Sequence, residues 1–297
     1  MIRAEPMREN ILAALQRGDI VIGDGAMGTM LQARALPAGT IPELWNLEHP
    51  EVVLAVHQAY LDAGAQIVTT NTFGGNRLRM GEAGLAGRGA ELTRLGASLA
   101  HRAAGDRAWV AGSVGPTGQL LEPYGTLTAS LAEEIFAEQI EALASGGADL
   151  VLIETQHDIE EALCAVRAAK ANTDLPVFCT FAFGASGRTM MGLGPDEAAT
   201  RAQDAGADVV GANCGQGPAS IVAGLEGMRE ATSLPLMAQS NAGTPQMNQD
   251  GDPVWDVVPE DIVEHVRAFI SLGAQVVGGC CGTGPEHIAA IVAAFRR

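Results

Sequence analysis

The chain has 297 residues, 47% of them hydrophobic, with a formal net charge of −17 at pH 7. Such a chain fills one large core, and its acidic balance argues against nucleic acid or an anionic membrane as partner. Its apolar runs are too short to span a bilayer, and MIRAEPMRENILAAL at the N-terminus mixes charges into its apolar residues, so a soluble cytoplasmic protein is expected.

Eight short apolar runs follow in order: IVIGDGA (20–26), QIVTTNTF (66–73), WVAGSVGP (109–116), DLVLIET (149–155), PVFCTFAF (176–183), DVVGANC (208–214), PLMAQSNAG (235–243) and QVVGGCC (275–281). Continuous runs of this length suit parallel strands buried on both faces. Between them lie stretches with helical spacing, among them 50–65, 130–148 and 260–274. Several of these close on a short tag before the next strand: AGAQ (63–66), GGAD (146–149), AGAD (205–208) and LGAQ (272–275). The glycine of each tag suits the left-handed residue that ends a helix. Eight strand–helix units and no glycine-rich dinucleotide fingerprint predict an α/β fold, a (β/α)8 TIM barrel, with residues 1–297 as a single domain.

In such a barrel the chemistry sits at the C-terminal ends of the strands. Strand 6 ends in Cys214 and strand 8 in Cys280-Cys281. Two neighbouring cysteines make a strained disulfide, and a chain with five cysteines and no export signal is better read as reduced. Three thiolates with one coordination place open match a catalytic zinc site. The plainer reading of any single cysteine is a small buried apolar residue, and it is adopted for Cys164 and Cys179. Three cysteinates on a dication leave one net negative charge. Such a centre activates water poorly and would hold an incoming thiol as thiolate, which predicts a thiol substrate.

Two carboxylates, Asp24 and Glu154, end strands 1 and 4. Together they suit an ammonium group; singly, each also reads as a salt bridge or a helix cap. A small amino-acid thiol carries both an ammonium and a sulfur. Gly25, Ser113 and Asn213 lie at strand ends beside these groups and complete the expected substrate pocket.

The elements GDGAMGTML (23–31), NTFGG (71–75), GSVGPTG (112–118), GANCG (211–215), NAG (241–243) and GGCCGTGPEH (278–287) resemble the zinc-dependent homocysteine S-methyltransferase family. The resemblance runs from about Asp19 to Phe295 and includes betaine–homocysteine methyltransferases and the homocysteine-binding module of cobalamin-dependent methionine synthase. It implies Cys214, Cys280 and Cys281 as zinc ligands, and Asp24 and Glu154 as holders of the homocysteine amino group. It makes Asn241 a candidate for the fourth zinc place when substrate is absent; His287 follows the CCG element, and its position on a helix suggests a structural role. Folate- and cobalamin-binding domains are absent from this sequence, as is the tyrosine that betaine enzymes carry after the strand-2 phenylalanine.

Trp45, in PELWN, resembles the tryptophan that betaine enzymes set against their donor. An indole face attracts an onium cation, while the alternative for Trp45 is ordinary packing. The resemblance therefore implies methyl transfer to homocysteine from glycine betaine, S-methylmethionine or dimethylsulfoniopropionate. Two alternatives stand beside it: a module that takes methyl from a separate methylcorrinoid protein, and a non-catalytic zinc- or thiol-binding protein. The oligomeric state, monomer or dimer, is left open by the sequence.

Overall fold

The computed structural model describes residues 9–37, 39–244, 246–247 and 253–295. Eight strands form one parallel sheet: β1 Val21–Ile22, β2 Ile67–Thr69, β3 Trp109–Val114, β4 Leu150–Gln156, β5 Val177–Phe181, β6 Val209–Cys214, β7 Leu236–Ser240 and β8 Ala274–Gly279. Each of β2 to β6 pairs with the next strand in the chain, β7 pairs with β8, and β8 pairs with β1. The predicted runs and the observed strands agree in number and place, but β1 and β2 are only two and three residues long.

Those two short strands close the ring largely with side chains. Gln66 N–H donates to Ile22 O at 2.7 Å, and Ile22 N–H donates to Gln66 Oε1 at 3.0 Å. One turn further up, Asp24 accepts from Thr69 N (2.7 Å) and from Thr69 Oγ1 (2.8 Å). The polar residue ending a tag does related work elsewhere at the base. Asp149 accepts from Val110 N and Asp208 from Val177 N, both at 2.8 Å. The tag glycines Gly64, Gly147, Gly206 and Gly273 all have φ between +94° and +106°, the conformation that ends each helix before its strand.

Alternation along the strands separates two cores. Inward residues Val21, Ile67, Ala111, Leu150, Leu152, Phe178, Val209, Met237 and Val276 fill the barrel. The helix α1, Ile11–Gln16, plugs its base with Ile11 and Leu15. Outward residues such as Val110, Val151, Cys179 and Val210 pack beneath a ring of helices that includes α2 Pro50–Asp62, α3 Gly89–Ala104, α4 Ala129–Ser145 and α5 Ile159–Asn172. Thr128 caps α4 and Asp158 caps α5 through their side-chain oxygens, while Pro50 opens α2 at a position that needs no N–H. Apolar inward residues occupy the base, so the polar inward residues Ser113, Glu154, Asn213 and Gln239 are gathered at the other end. No helix among the described residues is long and apolar enough to cross a membrane.

A three-cysteine centre at the barrel mouth

The sulfurs of Cys214, Cys280 and Cys281 lie within 4.8 Å of one another. Two backbone features bring them together. Cys214 has φ +60° and Gly215 φ +64°, so the chain turns sharply at the end of β6. Gly282, at φ +80°, turns it again after β8, where a Cβ would stand 2.2 Å from the Trp255 ring. A non-glycine residue in the left-handed region costs about 1–3 kcal/mol, and Cys214 is held there by its surroundings. Asn241 is one of the holders: its Nδ2 donates to Gly215 O at 3.1 Å and its Oδ1 accepts from Cys281 N at 3.1 Å. One carboxamide thus ties the two cysteine loops together.

Hydrogen bonds from Cys280 and Cys281 pull the Cys214 thiol far down, to about 3. The same hydrogen bonding pushes the Cys280 thiol well up and that of Cys281 up to about 12. Cys214 is thus the sulfur that the hydrogen bonds of its two neighbours favour as thiolate. Zinc–sulfur bonds of about 2.3 Å put tetrahedral sulfurs roughly 3.8 Å apart, so the cluster fits zinc with small closure. All three donors are soft sulfurs, which select zinc over magnesium or calcium.

Glu154, at the end of β4, accepts from Ser113 Oγ at 2.5 Å and from Asn213 Nδ2 at 3.4 Å. Asn213 also accepts from Thr155 N (2.9 Å) and Thr180 Oγ1 (2.8 Å), and donates to Thr155 Oγ1 (2.8 Å). That clamp holds Thr155 at φ +61°. Asp24 is 2% exposed. Burial pushes both carboxyls up to about 7, with Asp24 and Cys214 adding to the effect at Glu154. No lysine, arginine or histidine among the described residues offsets either charge. Gly25 lies against Thr283, whose carbonyl oxygen would be 2.6 Å from a Cβ there.

The cavity that joins these groups measures about 710 Å³. Gly25, Ser113, Glu154, Cys214, Cys280 and Cys281 line its inner part. Ile41, Pro42, Glu43, Phe73, Arg79 and Met80 line an outer lobe. Asn213 is fully buried and reaches the site through Glu154.

Trp45 requires a correction. It is 6% exposed, meets His49 edge-on with ring centroids 4.8 Å apart, packs in the outer core and does not line the cavity. The cavity wall therefore carries no indole face from Trp45. His287 accepts from Gly284 N at Nδ1 (3.1 Å) and contacts Val257 O at Nε2 (3.0 Å), fastening loops behind the cysteines. Thr69 and Glu43 were not singled out from the sequence. Thr69 is the inward residue two past Ile67, so the alternation along β2 is the signal that marks it.

A pH effect follows from the two carboxyls. Their value near 7 exceeds the unfolded value of about 4, so the metal- and ligand-free fold retains protons that the unfolded chain has lost. The stability this proton retention provides is present below about pH 4 and lost as pH rises to about 7. An ammonium ligand favours the ionised forms, so its affinity moves the other way. L-Methionine has the ammonium and no thiol proton. Its affinity for the protein is expected to rise between pH 6 and pH 8, and calorimetric titration at both values checks this. A flat profile would show that the carboxyls do not receive the ammonium.

The homocysteine S-methyltransferase family model matches residues 21–295. The chain is 32% identical over 293 residues to methionine synthase of Mycobacterium tuberculosis, and 31% identical over 296 residues to that of Mycobacterium leprae. These matches take in 93% and 94% of this chain and 24% of each relative, so the chain spans about a quarter of their length. The metallated form of the homocysteine methyltransferase MmuM from Escherichia coli superposes with a TM-score of 0.80 at 25% identity, over 96% of this chain and 99% of that one. Its oxidized form superposes equally well. With the family model matching residues 21–295 and the fold shared over nearly the whole length, this chain belongs to the homocysteine S-methyltransferase family.

Proposed function

We propose that the barrel mouth transfers a methyl group to the thiol of homocysteine, giving methionine, with zinc on Cys214, Cys280 and Cys281. The observation that carries this reading is the gathering of three sulfurs beside the buried Asp24 and half-buried Glu154 carboxylates, with no counter-charge among the described residues. Zinc, when bound, lowers the proton affinity of a thiol so that its sulfur is nucleophilic at neutral pH. Asp24 and Glu154 receive the ammonium, and Ser113 and Asn213 hold Glu154 in place. The fourth place belongs to the substrate sulfur. Without substrate, Asn241, whose carboxamide sits between the two cysteine loops, would be the residue at hand to hold the metal there.

For the donor we propose a small onium compound, of which glycine betaine, S-methylmethionine and dimethylsulfoniopropionate are examples. Trp45 no longer supports betaine among them. What supports an onium compound is the outer lobe, whose wall carries the apolar Ile41, Phe73 and Met80 together with Glu43, Glu82 and Arg79. The protein's part is to place donor and sulfur in line and to exclude water.

A second reading, methyl delivery by a separate methylcorrinoid protein, has its own support. Phe73, Leu120, Tyr124, Met190 and Met191 are exposed on loops that follow β2, β3 and β5, at the mouth, and the methionine synthases are about four times longer than this chain. Purified protein given homocysteine is expected to form methionine with at least one onium donor and not with methylcobalamin. The opposite outcome transfers the assignment to the second reading. A non-catalytic zinc protein would form methionine with neither, and zinc X-ray absorption would then show no fourth sulfur on adding homocysteine, because a fourth protein ligand closes the site.

A further inference from the structure

The outer lobe contains a buried carboxylate that neither the metal centre nor the ammonium site uses. Glu43 lies on the 3-10 turn Pro42–Leu44, is 3% exposed, and lines the same cavity as Cys281. Its Oε1 accepts from Gly74 N at 2.5 Å. Among the described residues no cation forms an ion pair with it; Arg79, also in the lobe, lies 3.5 Å from Glu82, and its pull on Glu43 is smaller than the effects of burial and of the backbone hydrogen bonds. Ile41, Phe73 and Met80 line the same cavity and give it apolar wall.

A carboxylate kept dry against such a wall is costly unless a cation joins it. Burial accordingly pushes the Glu43 carboxyl up from its ordinary range. The wall itself suits methyl groups and offers few donors for a strongly hydrated ammonium. A methylated onium centre, cationic but clothed in C–H groups, meets both requirements.

We infer that Glu43 recognises the onium centre of the methyl donor, holding it in the outer lobe with one methyl directed at the cysteine centre. This inference rests on the onium reading above. In the reaction the thiolate sulfur forms a bond to the methyl carbon. The bond from that carbon to the donor nitrogen or sulfur breaks, and its electron pair stays on the donor, which leaves as a neutral amine or sulfide. The donor's positive charge fades as the bond breaks. Glu43 therefore stabilises the bound donor more than the transition state, and it releases the neutral product readily.

This predicts a split that a merely structural residue would not give. Glu43→Gln keeps an acceptor for Gly74 and the same volume. Its donor KM is expected to rise about 10- to 100-fold, the worth of one charged contact, with kcat unchanged or higher. The dissociation constant of tetramethylammonium, a cation that mimics the onium head, should rise by the same factor. The dissociation constant of homocysteine and the rate with neutral methyl iodide should stay at wild-type values. An unchanged donor KM and tetramethylammonium affinity overturns the inference, as does an equal loss with methyl iodide. In the wild type, tetramethylammonium should compete with the donor and neutral tert-butanol should not; equal inhibition by both overturns the inference even where the variant folds poorly. Glu43-dependent tetramethylammonium binding without methionine formation from any onium donor would instead retain the cation site and remove the donor reading.

Discussion

Cys281→Ser is expected to release the metal and stop homocysteine methylation while leaving the barrel folded. The sulfur is one of three within 4.8 Å, and the remaining two cannot enclose a dication with the substrate. Structural zinc sites bind with about 10–16 kcal/mol in all, so one of four ligands carries roughly 3–4 kcal/mol, or about 10²–10³-fold in affinity. The backbone loses little, because the Cys281 N–H still donates to Asn241 Oδ1 and serine fits the same turn. Metal analysis should give well under one zinc per chain after dialysis, with a melting temperature close to that of the metal-free wild type. Wild-type zinc content with normal turnover would refute the proposed centre. Cys179→Ser, on the outward face of β5, is the contrasting case: it touches packing alone and should keep zinc.

The barrel was legible because a parallel strand buried on both faces must be apolar along its length, and because each tag glycine announces a helix end. The three cysteines were legible for a different reason. Soft ligands at two strand ends of a known topology have few other uses. What remained hidden depends on side-chain direction outside the strands. Trp45 and Glu43 are two residues apart in PELWN, and the reading favoured the aromatic one. The 3-10 turn that begins at Pro42 puts Glu43 on the cavity and sends Trp45 into the outer core, and no periodicity marks a turn of three residues. The sequence suggests Asp24 as a ligand for ammonium or, singly, as a salt bridge or a helix cap. That it also fastens β1 to β2 through Thr69 follows from the shortness of those strands, which the apolar runs at 20–26 and 66–73 overstate.

The double duty of Asp24 makes Glu154 the cleaner test of the ammonium site. Glu154→Gln retains an oxygen for Ser113 Oγ and gives up only the long 3.4 Å contact from Asn213. It also removes a buried charge that has no counter-ion, so at pH 8 the free protein should melt at the same temperature or higher. Homocysteine, by contrast, loses a charged contact worth about 2–3 kcal/mol, which is a 30- to 150-fold weaker dissociation constant. Asp24→Ala should weaken homocysteine comparably and also lower the melting temperature, since Thr69 N loses its acceptor at the barrel seam. Calorimetric titration and thermal melts on both variants separate the roles. If Glu154→Gln bound homocysteine as tightly as the wild type, the ammonium would have to lie elsewhere, and the two carboxyls raised to about 7 would be left without a ligand to offset their burial.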